Sequence, residues 1–313
     1  MKLFTEIKLE KQESQIDYNS KVLLLGSCFA ENIGEKFNYY KFQTLQNPFG
    51  ILFQPKAIET ILSRAVEERQ YTEADVFIHN EQWHCFEAHS KLSDTSKERL
   101  LETLNNNLNI IKCYLEEASH IVITLGTAWV YSLIETNTVV SNCHKVPQKQ
   151  FNKKLLSVEA VMNSLQNIFN TIQTVNTKAS LIFTVSPVRH IKDGFVENTQ
   201  SKSHLISAIH QYINDRSYYF PSYEIMLDEL RDYRFYKSDL LHPNDTAVDY
   251  IWEKFKEVWI ASQAYNVMDT VDRIQKGLAH KPFNAHSEAH IKFLQQLEEK
   301  KERLQSKYPH IRF

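Results

Sequence analysis

Three side chains of this sequence could together move an acyl group. Ser27 closes an apolar run, and Asp239 and His242 lie three apart in a loop that Pro243 stops. A hydroxyl becomes a nucleophile when an imidazole takes its proton and a carboxylate orients that imidazole. Asp239 and His242 can supply the last two parts as one unit. The developing oxyanion needs N–H donors, and glycine turns let substrate approach the backbone. The chain has only six glycines, and two of them, Gly50 and Gly126, fall at the ends of strand-like runs. Each piece alone is weak, because Ser is also an ordinary helix N-cap and an isolated Asp-x-x-His is more often structural.

Positioning these groups requires a sheet edge. Val22-Leu23-Leu24-Leu25-Gly26 precedes Ser27, and Phe29, Ile33 and Phe37 follow at steps of four, which predicts a buried strand breaking into a helix that ends near Tyr39. The strand holds nothing polar, so both faces are covered, as in a parallel sheet between helices. Ligands of such sheets bind where strands end and helices begin, beside unpaired helix N–H groups. Further strands are expected at 42–45, at 120–125 before Gly126-Thr127, at 180–185 before Ser186-Pro187, and at 219–226. Helices are expected at 55–68, 95–117, 157–174 and 201–216, and again from Asn244 or Asp245, since Pro243 disfavours a helical His242. This alternation reads as α/β, a three-layer α/β/α sandwich on a parallel sheet.

Around that frame, Leu3, Thr5, Ile7 and Leu9 alternate with charged residues and predict an edge strand within 1–20. Residues 71–95 read as an inserted hairpin, and 137–154 as a polar, solvent-facing stretch. Residues 285–306 place Ile291, Leu294, Leu297 and Leu304 on one helical face, packing on the domain or on a second copy as a homo-oligomer contact. The chain thus divides into a domain at 1–262 and a helical extension at 263–313.

Composition narrows the class. The 42% hydrophobic and 24% charged content supports a sizeable core, and the net charge of −2 gives no footprint for nucleic acid or a membrane surface. No run is long enough to span a bilayer, and the first residues lack a signal-peptide core. The four scattered cysteines read as free thiols of a cytoplasmic protein. His79, His84 and His89 are spaced by five, which fits neither a helical face nor the usual zinc spacings, so no metal and no cofactor are expected. Arg189 and His190 follow a strand end, where an anionic-substrate contact and an exposed salt bridge are both open.

Gly26-Ser27-Cys28-Phe29-Ala30 resembles the signature of the GSCFA family, within the larger SGNH (GDSL-like) hydrolase class. Other landmarks agree in order: Asn47-Pro48-Phe49-Gly50, Thr124-Leu125-Gly126-Thr127, Ser186-Pro187-Val188-Arg189-His190, Tyr219-Phe220-Pro221-Ser222-Tyr223-Glu224, Arg231-Asp232-Tyr233-Arg234-Phe235-Tyr236 and Asp239-Leu240-Leu241-His242-Pro243. The resemblance covers roughly residues 4 to 256 and leaves the tail beyond 260 outside. It implies a flavodoxin-like fold with Ser27 as nucleophile, His242 as base and Asp239 as its orienter. It further implies that the N–H groups of Ser27 and Gly50 hold the oxyanion, with Gly126 as the third-block glycine.

The activity implied is a serine esterase working through an acyl-enzyme on a small-molecule or carbohydrate ester, acetylated carbohydrates being one class. An acyltransferase with the same triad and a non-catalytic binding module on the same fold are the alternatives. One block departs from the SGNH pattern, Gly-x-Asn-Asp, by reading Gly126-Thr127-Ala128-Trp129. The missing Asn is an oxyanion donor worth roughly two to three powers of ten in turnover, and Thr127 and Asn47 are the candidates to replace it. The same residues also resemble the papain-type Cys-Gly-Ser-Cys-Trp region, which would make Cys28 the nucleophile. Against that, Leu25 stands where a Cys would precede Gly26, and the Asp-x-x-His loop comes about 215 residues later, past the spacing such proteases show.

Overall fold

The computed structural model describes residues 5–313. In chain order its first half runs β1 (Lys21–Gly26), α1 (Cys28–Tyr39), β2 (Gln43–Gln46), α2 (Pro55–Val66), β3 (Phe77–His79), β4 (Gln82–His84), α3 (Lys97–Glu117), β5 (His120–Leu125), β6 (Trp129–Leu133) and β7 (Thr138–Val140). There follow β8 (Phe151–Leu155), α4 (Val158–Val175), β9 (Ser180–Val185), α5 (Phe195–Tyr212), β10 (Ser217–Phe220), the short α6 (Ser222–Glu224), α7 (Asp245–Trp259), α8 (Tyr265–Ala279) and α9 (Glu288–Lys307).

The apolar run of β1 has residues of both parities, and both are used. Leu23 and Leu25 enter one core with Ile121, Ile123, Leu181 and Phe183 of the neighbouring strands and with α2, α3, α4 and α5. Val22 and Leu24 enter a second core with α1, α7, α8 and α9. Successive strand residues point to opposite faces, so a strand that is apolar at both parities has to be covered twice. The result is a three-layer α/β/α sandwich.

Its central sheet is parallel throughout, in the order β10-β9-β5-β1-β2. Counting only its own strands, this is the doubly wound order 2-1-3-4-5, which reverses direction between β1 and β5. Gly26 of β1 pairs with Thr124 of β5, and Thr124 with Thr184 of β9, so the three strands end level. Ser27, Gly126 and Ser186 are thereby gathered at one carboxyl edge, at the reversal where open α/β sheets bind ligands.

Several local expectations are corrected. Residues 5–20 form no edge strand; Ile16 makes one isolated bridge to Ile260, and the Ile7 N–H donates to Glu229 Oε1 at 2.5 Å. Leu3 lies outside the described residues. The 137–154 stretch is not simply solvated, because β6 pairs antiparallel with both β7 and β8. Its buried Val140, Val146 and Phe151 form a small separate core that also takes in Phe77 and Phe86 from the inserted hairpin. That hairpin is present as expected, β3 pairing β4 across Asn80 and Glu81, both at positive φ, the backbone a two-residue hairpin turn requires.

Helix α5 starts six residues before the expected 201, behind Gly194 at φ +122°. The last strand stops at Phe220, because Pro221 is followed by helical backbone through Glu229. Helix α8 falls within the helical extension expected at 263–313, and its Met268, Val271 and Ile274 join the same core as the sheet. The amphipathic face of α9 is only half used: Leu297 and Leu304 are buried on the domain, while Ile291 and Leu294 are exposed. Among the described residues no helix is long and apolar enough to cross a membrane.

Candidate active site

At the end of β1, Gly26 sits at φ +132°, and a Cβ there would lie 2.1 Å from the Thr124 carbonyl oxygen. Only glycine allows the two strands to approach so closely while the chain turns into α1. Ser27 then caps α1: its Oγ accepts from the Phe29 N–H at 3.3 Å, and its carbonyl from the Ala30 N–H at 2.8 Å. Its own N–H donates to the Thr124 carbonyl at 3.0 Å. The residue has no exposed surface. Next to it, burial and the Glu31 carboxylate push the Cys28 thiol up. That keeps the sulfur protonated, the reverse of what a papain-type nucleophile requires.

The loop after β2 packs against this turn. Asn47, at φ +40°, accepts from the Gly26 N–H through Oδ1 at 2.8 Å and donates its own N–H to the Leu24 carbonyl at 2.9 Å. Its amide nitrogen Nδ2 is buried and has no hydrogen-bond partner. The Gly50 N–H expected at the oxyanion instead donates to the Asn47 carbonyl at 2.7 Å and closes that turn. Gly50 is required for another reason: it has φ +72°, and a Cβ would come within 2.4 Å of His89 Cβ. Both backbone donors foreseen for the oxyanion, those of Ser27 and Gly50, are therefore committed to carbonyls.

Gly126 and Thr127 both donate their N–H groups to the Phe53 carbonyl, at 2.7 and 3.0 Å. The Thr127 hydroxyl bonds Ser201 Oγ at 3.0 Å and accepts from the Trp129 N–H at 3.0 Å. Of the two candidates for the missing Asn, Thr127 is thus engaged and Asn47 carries the open donor.

The Asp239–His242 pair is assembled locally. Asp239 Oδ2 lies 2.6 Å from His242 Nδ1, and Oδ1 accepts from the N–H groups of Leu241 at 2.9 Å and His242 at 3.0 Å. These backbone donors of His242 and Leu241, with the imidazole beside them, hold the Asp239 carboxyl down to about 2. A carboxylate on Nδ1 leaves Nε2 as the free ring nitrogen, which is the one a general base uses. Leu240 makes the turn at φ +59°, the Lys237 N–H donates to the His242 carbonyl at 2.7 Å, and the Arg189 N–H reaches the Leu241 carbonyl at 3.2 Å. The Asp239 and His242 side chains are 44% and 43% exposed. Among the described residues no hydrogen bond joins His242 to Ser27. The Arg189 guanidinium lies over the Tyr236 and Tyr233 rings, at 4.3 and 5.3 Å.

Lys202 is the residue that sequence reasoning missed. Only 1% exposed, it donates from Nζ to the Gly126 carbonyl at 2.8 Å and the Ser186 carbonyl at 2.7 Å, tying together the loops that follow β5 and β9. Burial lowers its ammonium to about 7. Beside it, burial, the Lys202 charge and His242 hold the His190 imidazole down to about 3, so that ring is neutral. The His190 N–H donates to Asn198 Oδ1 at 2.9 Å, while its Nε2 is buried without a partner. A signal was available: Asn198, Ser201, Lys202 and Leu205 follow the i, i+3, i+4, i+7 stripe of a buried helical face. The expected start at 201 cut that stripe short.

His79, His84 and His89 do not converge. His84 bonds Ser93 Oγ at 2.6 Å and the His79 carbonyl at 2.9 Å, whereas His89 packs on Gly50. Among the described residues no group of three or more His, Cys, Asp or Glu side chains comes together in a way that could hold a metal ion.

Comparison with known proteins places the chain at the level of family. The model of the GSCFA family matches residues 21–255, three quarters of the chain and all five strands of the parallel sheet. A second model, the C-terminal domain of GSCFA domain proteins, matches residues 271–313, and so takes in most of the tail that the motif resemblance had left outside. No curated protein matches the chain. With its strand-end serine, its Asp-x-x-His loop and both matches in order, the chain belongs to the GSCFA family.

Proposed function

We propose that this protein is a serine esterase of the SGNH type, cleaving an acyl ester through an acyl-enzyme. Ser27 Oγ attacks the ester carbonyl carbon while His242 Nε2 takes the hydroxyl proton, and Asp239 holds the ring in the tautomer that allows this. The oxyanion is met by Asn47 Nδ2. Collapse of the tetrahedral intermediate expels the alcohol, which leaves with the proton from His242. A water molecule, its proton taken by the same nitrogen, then releases the acid. Acetylated carbohydrates are one substrate class for this chemistry, and transfer to a sugar hydroxyl would replace water by a second alcohol.

The observation that carries the reading is the 2.6 Å contact between Asp239 Oδ2 and His242 Nδ1, with the other carboxylate oxygen held by two backbone N–H groups. A loop with no catalytic duty has little need to orient an imidazole so completely. Ser27 is sealed, and its Oγ is engaged with the Phe29 N–H. Catalysis on this scheme requires substrate to open that cover and the dyad loop to close on it, and catalytic hydrogen bonds commonly tighten only in the substrate complex.

The same sealed serine favours a second reading, a binding module that keeps the fold without turnover. A fluorophosphonate probe with peptide mapping separates the two. Adduct on Ser27 that disappears in His242→Ala supports the esterase. Folded protein with no adduct anywhere supports the binding module, and adduct that survives Ser27→Ala rejects Ser27 as nucleophile.

A further inference from the structure

Two of the larger cavities, of 610 and 730 Å³, lie between α1 and α7 and between α7 and residues 228–235, and neither is lined by a strand-end residue. A smaller cleft of 350 Å³ opens instead beside Gly126, between the Phe53-Gln54 segment, His190 and the β6–β7–β8 sheet. Its walls are largely apolar, made by Phe53, Trp129, Tyr131 and Val140. Among its polar side chains, which include Thr127, Ser141 and Asn142, two carry unmet hydrogen-bonding atoms.

Gln54 is 4% exposed and caps α2 through Oε1, which accepts from the Ala57 N–H at 3.0 Å. That leaves Nε2 buried with no partner. His190 Nε2 is likewise buried and unpartnered, and sits 3.1 Å from where a Cβ on residue 126 would be. A buried polar group left unpaired is costly, and two of them lining one cleft call for a ligand that pairs them. A Cβ on residue 126 would crowd both His190 Nε2 and Phe53, so the glycine lets these two lining residues pack where they do.

Charge separates the possible ligands. Asp193 is paired with Lys153, and the Lys153 ammonium lies over the Trp129 and Tyr131 rings at 4.9 and 5.5 Å. Lys192, exposed, is the remaining charged residue of the lining. Lys192 stays in water at the edge, and neither Gln54 nor the neutral His190 would offset a charge buried beside them, so an ionised group there would lose its hydration without compensation. At 350 Å³ the cleft lies near the lower end of ligand pockets, about 300–1,000 Å³, which suits one ring or one short chain.

From these observations we propose that this cleft binds one half of the substrate, a small uncharged group that presents oxygen to Gln54 Nε2 and a carbonyl or hydroxyl to His190 Nε2 from a partly apolar body. The inference rests on the esterase reading for calling the ligand a substrate, though not for its being bound. Two halves of an ester share this chemistry, a short acyl chain with its carbonyl and a sugar ring with its hydroxyls.

The test uses the full chain as Ser27→Ala, so that no turnover is involved, with butyramide and methyl glucopyranoside as probes. Isotope-labelled histidine reports on the His190 ring, its signal identified by its loss in His190→Gln. One probe at least should shift that signal saturably, with a Kd of about 1–10 mM, a range common for such fragments. Response to butyramide alone assigns the acyl half, and response to the glucoside alone the alcohol half. Gln54→Glu keeps an oxygen to cap Ala57 but replaces the donor by a charged acceptor, and should weaken binding about tenfold or more. Cys143→Trp, on the cleft lining, should weaken it by filling space without touching either donor. The proposal is overturned if neither probe shifts His190, or if binding is indifferent to Gln54→Glu in protein shown to be folded. Failure of fluorophosphonate labelling with probe binding intact would reject the esterase and leave the pocket standing.

Discussion

Ser27, Asn47, Ser186 and Lys202 are each less than a tenth exposed, whereas Asp239 and His242 leave more than two fifths of their side chains in water. The first group is held by long-range structure: three strands ending level, a glycine at a β1–β5 contact, and a lysine clamped between two loops. The second is paired within four residues, its carboxylate taking the N–H groups of Leu241 and His242 as well as the imidazole. The contrast teaches where rigidity is needed. Donors for a developing oxyanion work by being fixed in advance in a dry site, while a general base has only to arrive with the right nitrogen free. A half that is dry and fixed can be met by a half that is wet and movable.

The largest effect should come from the point where the halves meet. Ser27→Ala is expected to reduce ester turnover by about 10⁶-fold, while costing only about 1 kcal/mol from the lost helix cap. Comparing kcat with thermal unfolding on one preparation checks both numbers, and a variant that keeps turnover would end the proposal. Asp239→Asn tests the wet half. Turnover should fall by on the order of 10³–10⁴-fold, because the imidazole loses its orienting charge, yet stability should change by under about 1 kcal/mol because the pair is screened by water. Asp239 has a depressed pKa, so the little stability it contributes is full above its ordinary 3.8 and lost only as pH falls through about 2.

Asn47→Asp probes the dry half by a single atom. The acceptor for the Gly26 N–H is kept, and Asp also tolerates positive φ, but the open donor is gone. A loss of about 10²–10³ in kcat is expected if Nδ2 meets the oxyanion, and unchanged kcat would return that role to a backbone N–H. The last prediction concerns pH dependence of stability rather than turnover. Lys202 is lowered to about 7 from its ordinary 10.5, so between those values the unfolded chain holds a proton that the folded one lacks. Stability therefore rises with pH across that window, with the penalty of the buried charge full below about 7. Lys202→Met should flatten the rise by up to one proton's slope in denaturant melts taken between pH 7 and 10. A slope identical to wild type would mean that the amine is not titrating as its burial requires.

How much of this was legible in advance varied with the range of the interaction. The runs 120–125 and 180–185 were placed to the residue, because each is six residues of largely β-branched and apolar side chains closed by turn residues, too short for a buried helix. The Asp239–His242 pair and the helix start behind Asn244 were legible for the same reason, being local chemistry. The three-stranded sheet over 129–155 was not. Its β8 exposes Asn152, Lys153 and Lys154, so the strand has no apolar alternation to show, and its pairing is made by register with β6. Lys202 was invisible for a deeper cause: a lysine belongs in water unless something buries and bonds it, and the carbonyls that do so come from 76 and 16 residues away.

By itself, then, the sequence determined the strand-helix alternation, the place of Ser27 at a strand end and the Asp239–His242 contact, since each depends on neighbours within about one turn or one strand. Tertiary structure alone decided which donors remain open at that edge. The expected N–H groups of Ser27 and Gly50 are spent on carbonyls, while the side-chain nitrogens of Asn47, Gln54 and His190 are left buried without partners. Whether a buried polar atom finds a partner depends on every chain segment packed against it, and those segments are distant in sequence.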